Sequence, residues 1–136
     1  MNNYIDTHIH FDLFENPVKF MDFYENNKIY AVFVTNLPEY FVKYSEFILK
    51  YNYIKLGVGF HPGLTKTDKF NVAIFDKAIE KTKYVGEIGL DFTEKDKKIR
   101  DKQITIFDSI CKKSAEKILS IHTRKHVNKK RNFRRI

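Results

Sequence analysis

Four of the five histidines lie where short apolar runs end: His8 and His10 in DTHIHFD, His61 in GFHP and His122 in LSIHTR. Residues two apart in an extended chain share a face, so His8 and His10 present two imidazoles together. Imidazole combined with carboxylate suits a divalent ion such as Zn, Mn, Fe or Mg. Glu87, in GEIGLD, supplies such a carboxylate. Among Val85, Ile88 and Leu90 it would be costly to bury unpaired. A metal offsets that cost, and one carboxylate can bridge two metals. Asp6 and Asp12 flank the histidine pair and are expected to orient its rings; Asp91 is expected to hold a histidine or a backbone amide. Arg124 follows His122 by two residues, on the same side of an extended chain. A metal ligand beside a guanidinium suits phosphate chemistry: the metal polarises a phosphoryl oxygen and activates water, and the guanidinium holds the charged oxygens. His61 is placed to bind a substrate phosphate or to act as an acid. Each residue alone has a plainer reading: a surface histidine pair, a solvent-facing glutamate, a loop histidine before proline, an arginine with no fixed partner. Their shared position at the ends of several strands is the stronger signal.

The elements that must position these groups alternate along the chain. Strands are expected at Tyr4–Asp6, Ile29–Val34, Ile54–Val58, Tyr84–Ile88 and Ile118–Ile121, each a short run rich in β-branched and aromatic residues. Asn16-Pro17 caps a first helix carrying Phe20, Met21 and Tyr24. Pro38 opens a second, with Phe41, Tyr44, Ile48 and Tyr51 on one face. Val72, Phe75, Ile79 and Thr82 mark a third, and Ile99, Gln103, Ile106, Phe107 and Ile110 a fourth. Strand and helix alternate at the spacing of βαβ units, so the strands are expected to be parallel with helices packed outside. In a parallel barrel all strand C-termini converge on one face, where active sites lie. Every candidate group sits at such an end.

The chain has 136 residues, room for one domain. A hydrophobic fraction of 43% argues against a disordered chain, and no segment is apolar and long enough to cross a membrane. No secretory signal is visible in MNNYID, and the single Cys111 cannot form an internal disulfide; both point to the cytoplasm. The net charge of +8 suggests a nucleic-acid surface until its distribution is considered. Residues 124–136 hold seven of the 25 Lys and Arg and no acidic residue, leaving 18 basic against 17 acidic residues in the body. The division expected is therefore a folded part, 1–123, and a solvated, disordered basic tail, 124–136.

Together, DTHIHFD, GFHP, GEIGLDF and IHTR, in this order and spacing, resemble the TatD family of metal-dependent deoxyribonucleases. VTNLPEYF, GVGFHP, YVGEIGLDF and ILSIHTR are most similar to the TatD-like branch found in the Qat anti-phage defence system. The resemblance covers residues 4–124. It implies a (β/α)8 TIM barrel of the metallo-dependent hydrolase type and cleavage of phosphodiester bonds in DNA with two divalent ions (Mg, Mn or Zn). His8 and His10 match the ligands of one ion, Glu87 the bridge to the second, and His122 a ligand of that second. His61 and Arg124 match phosphate-binding positions.

The family pattern also carries a later histidine and a late aspartate, which is both ligand and general base. No position here matches them; His126 is too close to His122 to replace a ligand from another strand. No catalytic base is therefore retained, and about five strands of an incomplete barrel are expected. Such a fragment would expose two sheet edges and would need a complementing chain, or would stay inactive and act by binding metal or a partner. The abrupt tail composition suggests a frameshift past Arg124. Two further readings are a DNA-binding tail and an amidohydrolase acting on C–N bonds on the same metal scaffold.

Overall fold

Five short apolar runs separated by capped helices give an α/β structure with a single parallel sheet. The computed structural model describes residues 4–124. The expected tail beyond Arg124, His126 included, lies outside the described residues. The elements are β1 (Ile5–Ile9), α1 (Pro17–Asn26), β2 (Tyr30–Val34), α2 (Pro38–Ser45), β3 (Ile54–Val58), α3 (Val72–Ile79), β4 (Tyr84–Asp91), α4 (Lys97–Lys113) and β5 (Ile118–Arg124). All neighbouring strands pair in parallel, in the order β1-β2-β3-β4-β5. The result is a curled, incomplete TIM barrel: the His8 ring on β1 reaches Ser120 on β5, the other end of the sheet, at 2.6 Å.

Local chemistry explains the helix starts. Asn16 accepts from the Lys19 amide at 2.9 Å with Pro17 in the first turn. Asn71 accepts from Ile74 at 3.1 Å and Asp96 from Lys98 at 2.8 Å. Each cap satisfies an amide that the helix itself leaves without a partner. The core lies between the sheet and the helices. Phe33 of β2 is fully buried and stacks on Phe11 at 5.0 Å, with Phe20 and Tyr24 of α1 beside it.

Several boundaries differ from the sequence reading. The second helix stops at Ser45, and Ile48 and Tyr51 reach the core from a 3-10 turn and the residue after it. Thr82 lies beyond α3; its hydroxyl donates to the Leu56 carbonyl at 2.7 Å. Strands β1, β4 and β5 run three residues further than their apolar runs suggest, through His8, Asp91 and Arg124. Polar residues continue these strands because the strand ends meet at a polar cluster. Arg124 therefore belongs to β5, one residue past the expected division at 123. Gly89 adopts φ +144°, and a Cβ there would sit 2.1 Å from the His122 carbonyl oxygen. Only glycine lets β5 lie close enough to bring His122 beside Glu87.

Candidate metal centre

Glu87 is the hub of the site. It sits within β4 and is 6% exposed. Its Oε2 lies 2.8 Å from His10 Nε2, 3.5 Å from His61 Nε2 and 3.7 Å from His8 Nε2; its Oε1 lies 2.8 Å from His122 Nδ1. Four imidazoles from β1, the residue after β1, the loop after β3, and β5 thus surround one carboxylate. Burial pushes the Glu87 carboxyl upward. Hydrogen bonds from His10 and His122, with the charges of His61 and His10, outweigh it and bring the pKa down to about 2.

The backbone that holds Glu87 was not singled out in the sequence. Thr35, fully buried after β2, accepts the Glu87 amide on its carbonyl at 3.2 Å. Its hydroxyl donates to the Gly57 carbonyl at 3.0 Å and accepts from the Gly59 amide at 3.2 Å. A Cβ on Gly59 would fall 2.4 Å from both the Glu87 nitrogen and the Thr35 oxygen, so this close approach requires glycine. In the sequence Gln103 of α4 is only one residue of a helical face. It is buried, accepts from the Asp91 amide at 2.9 Å and donates to the Pro62 carbonyl at 3.1 Å, tying the His61 loop to the end of β4. An amide side chain among apolar neighbours was the available signal.

The remaining candidates divide. His61 accepts from the Gly63 amide on Nδ1 at 3.0 Å, so its neutral ring carries hydrogen on Nε2, the atom facing Glu87. Burial lowers its pKa, opposed by the Glu87 charge, and so favours the neutral ring. That makes it a hydrogen-bond donor toward an anion. Asp91 Oδ2 lies 3.5 Å from His122 Nε2. Burial raises the Asp91 pKa, but bonds from Thr93 and the charges of His122 and Arg124 bring it below the ordinary value. Arg124 pairs with Asp91 across β4 and β5, and its side chain is exposed. Asp6 departs from its expected role. The register of β1 shifts between Asp6 and Ile9, breaking strict alternation, and the carboxylate takes the Tyr24 hydroxyl at 2.9 Å and the His8 backbone amide at 3.2 Å in place of an imidazole. Asp12 is raised by burial, and its Oδ1 is buried without a hydrogen-bond partner among the described residues.

Two triads have ligand atoms all within 4.8 Å of one another: His8, His10 and Glu87, and His61, Glu87 and His122. His122 Nε2 and His10 Nδ1 are buried without a hydrogen-bond partner among the described residues. With Nδ1 of His122 committed to Glu87, its bare Nε2 fits a cation. The donor set therefore suits a divalent metal.

The model of the TatD related DNase family matches residues 5–135. The chain belongs to the TatD related DNase family. The fold agrees. The crystal structure of YjjV, a TatD homologue from Escherichia coli K12, superposes with a TM-score of 0.72 at 23% identity, covering 89% of this chain and 51% of that one. The TatD-type chain thus spans about half the length of that solved structure. No curated protein matches it.

Proposed function

We propose that this TatD-type chain carries a divalent-metal centre for hydrolysing phosphodiester bonds in DNA. The observation that supports it best is the single ionised Glu87 enclosed by four imidazoles at the strand ends. His8, His10 and Glu87 would hold one ion, and Glu87 with His122 a second. Bound metal supplies Lewis-acid activation of the phosphoryl group and of water. The His61 Nε2–H and the Arg124 guanidinium would bind the phosphate oxygens, and Asp91 steadies His122. Purified chain supplied with Mg, Mn or Zn should cleave DNA. Chelation, His8→Ala and Glu87→Gln should each abolish turnover, and cleavage that survives chelation overturns the proposal.

A second reading is a centre that binds metal without turnover. It rests on the same two triads of ligand atoms, which can hold metal whether or not turnover follows. It expects zinc binding with no DNA cleavage, and a complementing chain as partner. The resemblance to the Qat branch adds a cytoplasmic role in anti-phage defence, alongside other proteins of that system. Phage plating on cells with and without Glu87→Gln tests that role.

A further inference from the structure

The contacts in the cluster determine where its protons sit. Above the ordinary histidine titration range a glutamate carboxyl facing four imidazoles is a carboxylate, so the Glu87 oxygens only accept. His10 Nε2 lies 2.8 Å from one of them and therefore carries hydrogen. His8 Nε2 lies 3.1 Å from that same His10 nitrogen. Two N–H groups do not face each other at this distance, so His8 Nε2 is bare. A neutral imidazole holds one proton, which in His8 must be on Nδ1. The group 2.6 Å from Nδ1 is the hydroxyl oxygen of Ser120, 112 residues away on β5.

We propose that Ser120 is the positioning residue of His8: its Oγ accepts the Nδ1 proton, fixes the tautomer and keeps Nε2 bare toward His10 and Glu87. Its functional consequence rests on the reading of His8 as a metal ligand. A ligating histidine characteristically donates its other N–H to an oxygen, which fixes the ring and strengthens the ligand. Ser120 fills this role where Asp6 does not, because the Asp6 carboxylate is taken by Tyr24 and the His8 backbone amide. The proton arrangement on His8 is the same with and without a cation. Nε2 is bare in both cases, so Ser120 preorganises the ligand. The bond also ties β1 to β5, which have no backbone pairing with each other among the described residues.

Imidazole ¹⁵N chemical shifts of the full-length, metal-free chain, recorded above the ordinary histidine titration range, test the assignment directly. His8 should carry its proton on Nδ1 in the wild type and in Ser120→Thr, and shift toward the Nε2–H form in Ser120→Ala. An unchanged tautomer in Ser120→Ala overturns the proposal. Titration with Zn²⁺ alone reads the consequence. Ser120→Ala should bind about 10-fold more weakly, the low end of the range for losing such a partner, because the His8 side chain is 37% exposed and water can partly substitute. Ser120→Thr should bind like the wild type. Equal affinity of Ser120→Ala and wild type would overturn the role in metal binding. A wild-type chain that binds no zinc sinks the metal reading instead, and the ¹⁵N result still decides the tautomer. Ser120→Ala removes only a hydroxyl and carries the test alone if the threonine variant does not fold.

Discussion

The middle and the edges of the sheet are built differently. In β3 and β4 nearly every residue is buried, and β2 joins them through Phe33 and Val34, each fully enclosed. In β1 and β5 no residue is buried; Ile5, Ile118 and Ile121 are 70%, 60% and 48% exposed. The site straddles this divide. Its hub, Glu87, lies in the well-packed middle, whereas His8, His10 and His122 come from the edges or just beyond them. The rigid part therefore sets the charge, and the loosely covered part brings the imidazoles to it. The first way to break the comparison is in the middle. Phe33→Ala removes a ring enclosed by Phe11, Phe20 and Tyr24, and should cost about 3–5 kcal/mol. Denaturant unfolding would measure it, and a loss no larger than that of an edge substitution would erase the distinction.

The second prediction concerns the hub. The Glu87 pKa is lowered from 4.5 to about 2, so the folded metal-free chain binds fewer protons there than the unfolded one. The contribution is fully present above the ordinary glutamate range and is lost as pH falls toward about 2. Its size is on the order of 3 kcal/mol. Glu87→Gln should lose that increment near neutrality and show a flatter stability profile between about pH 5 and 2. Chemical unfolding of both chains across that range checks it; parallel profiles would mean that the imidazoles do not hold the carboxylate.

This division also explains what was legible in the sequence. The middle strands announce themselves: Ile54–Val58 is expected with its observed bounds and β4 with its observed start at Tyr84; of the edge strands, β5 alone has its expected start, at Ile118. The apolar runs stop before the strands do, because the last strand residues face a polar cluster and no longer resemble a buried strand. Thus His8, Asp91 and Arg124 fall inside strands that composition ends early. The histidines and Glu87 stood out because imidazole and carboxylate at apolar run ends are unusual. Thr35, Gln103 and Ser120 did not, because what they do depends on which strand or loop lies beside them. Thr35 acts on Glu87 through its backbone carbonyl, which no residue type reports. Asp6 shows the opposite failure: its spacing matched the histidines, but the irregular register of β1 sent its carboxylate to Tyr24.

A third prediction sharpens the contrast by changing the edges alone. Metal held between β1, β4 and β5 would stabilise the native state by about 2.7 kcal/mol at a concentration one hundred times Kd. The edge strands should open most readily without metal, because none of their residues is buried. Zinc should therefore slow amide hydrogen exchange in β1 and β5 well beyond its effect on loops remote from the site. Exchange rates in β1 and β5 that ignore zinc would show that the edges are not joined through the centre.

The smallest expected effect is at Ile121. Its neighbours in sequence, Ser120 and His122, belong to the cluster, yet its own side chain is about half exposed, on the opposite face of an edge strand. Ile121→Ala removes little buried area and should change stability by less than about 0.5 kcal/mol, as surface substitutions do. Zinc affinity should be unchanged as well, since the backbone of β5 is held to β4 by pairing that runs from Tyr84–Ile118 to Asp91–Arg124 and does not depend on that side chain. A loss of 2 kcal/mol or more at Ile121 is of the size seen for buried Ile→Ala. In solution that would mean this face of β5 is covered, and the edge would have to be counted with the middle.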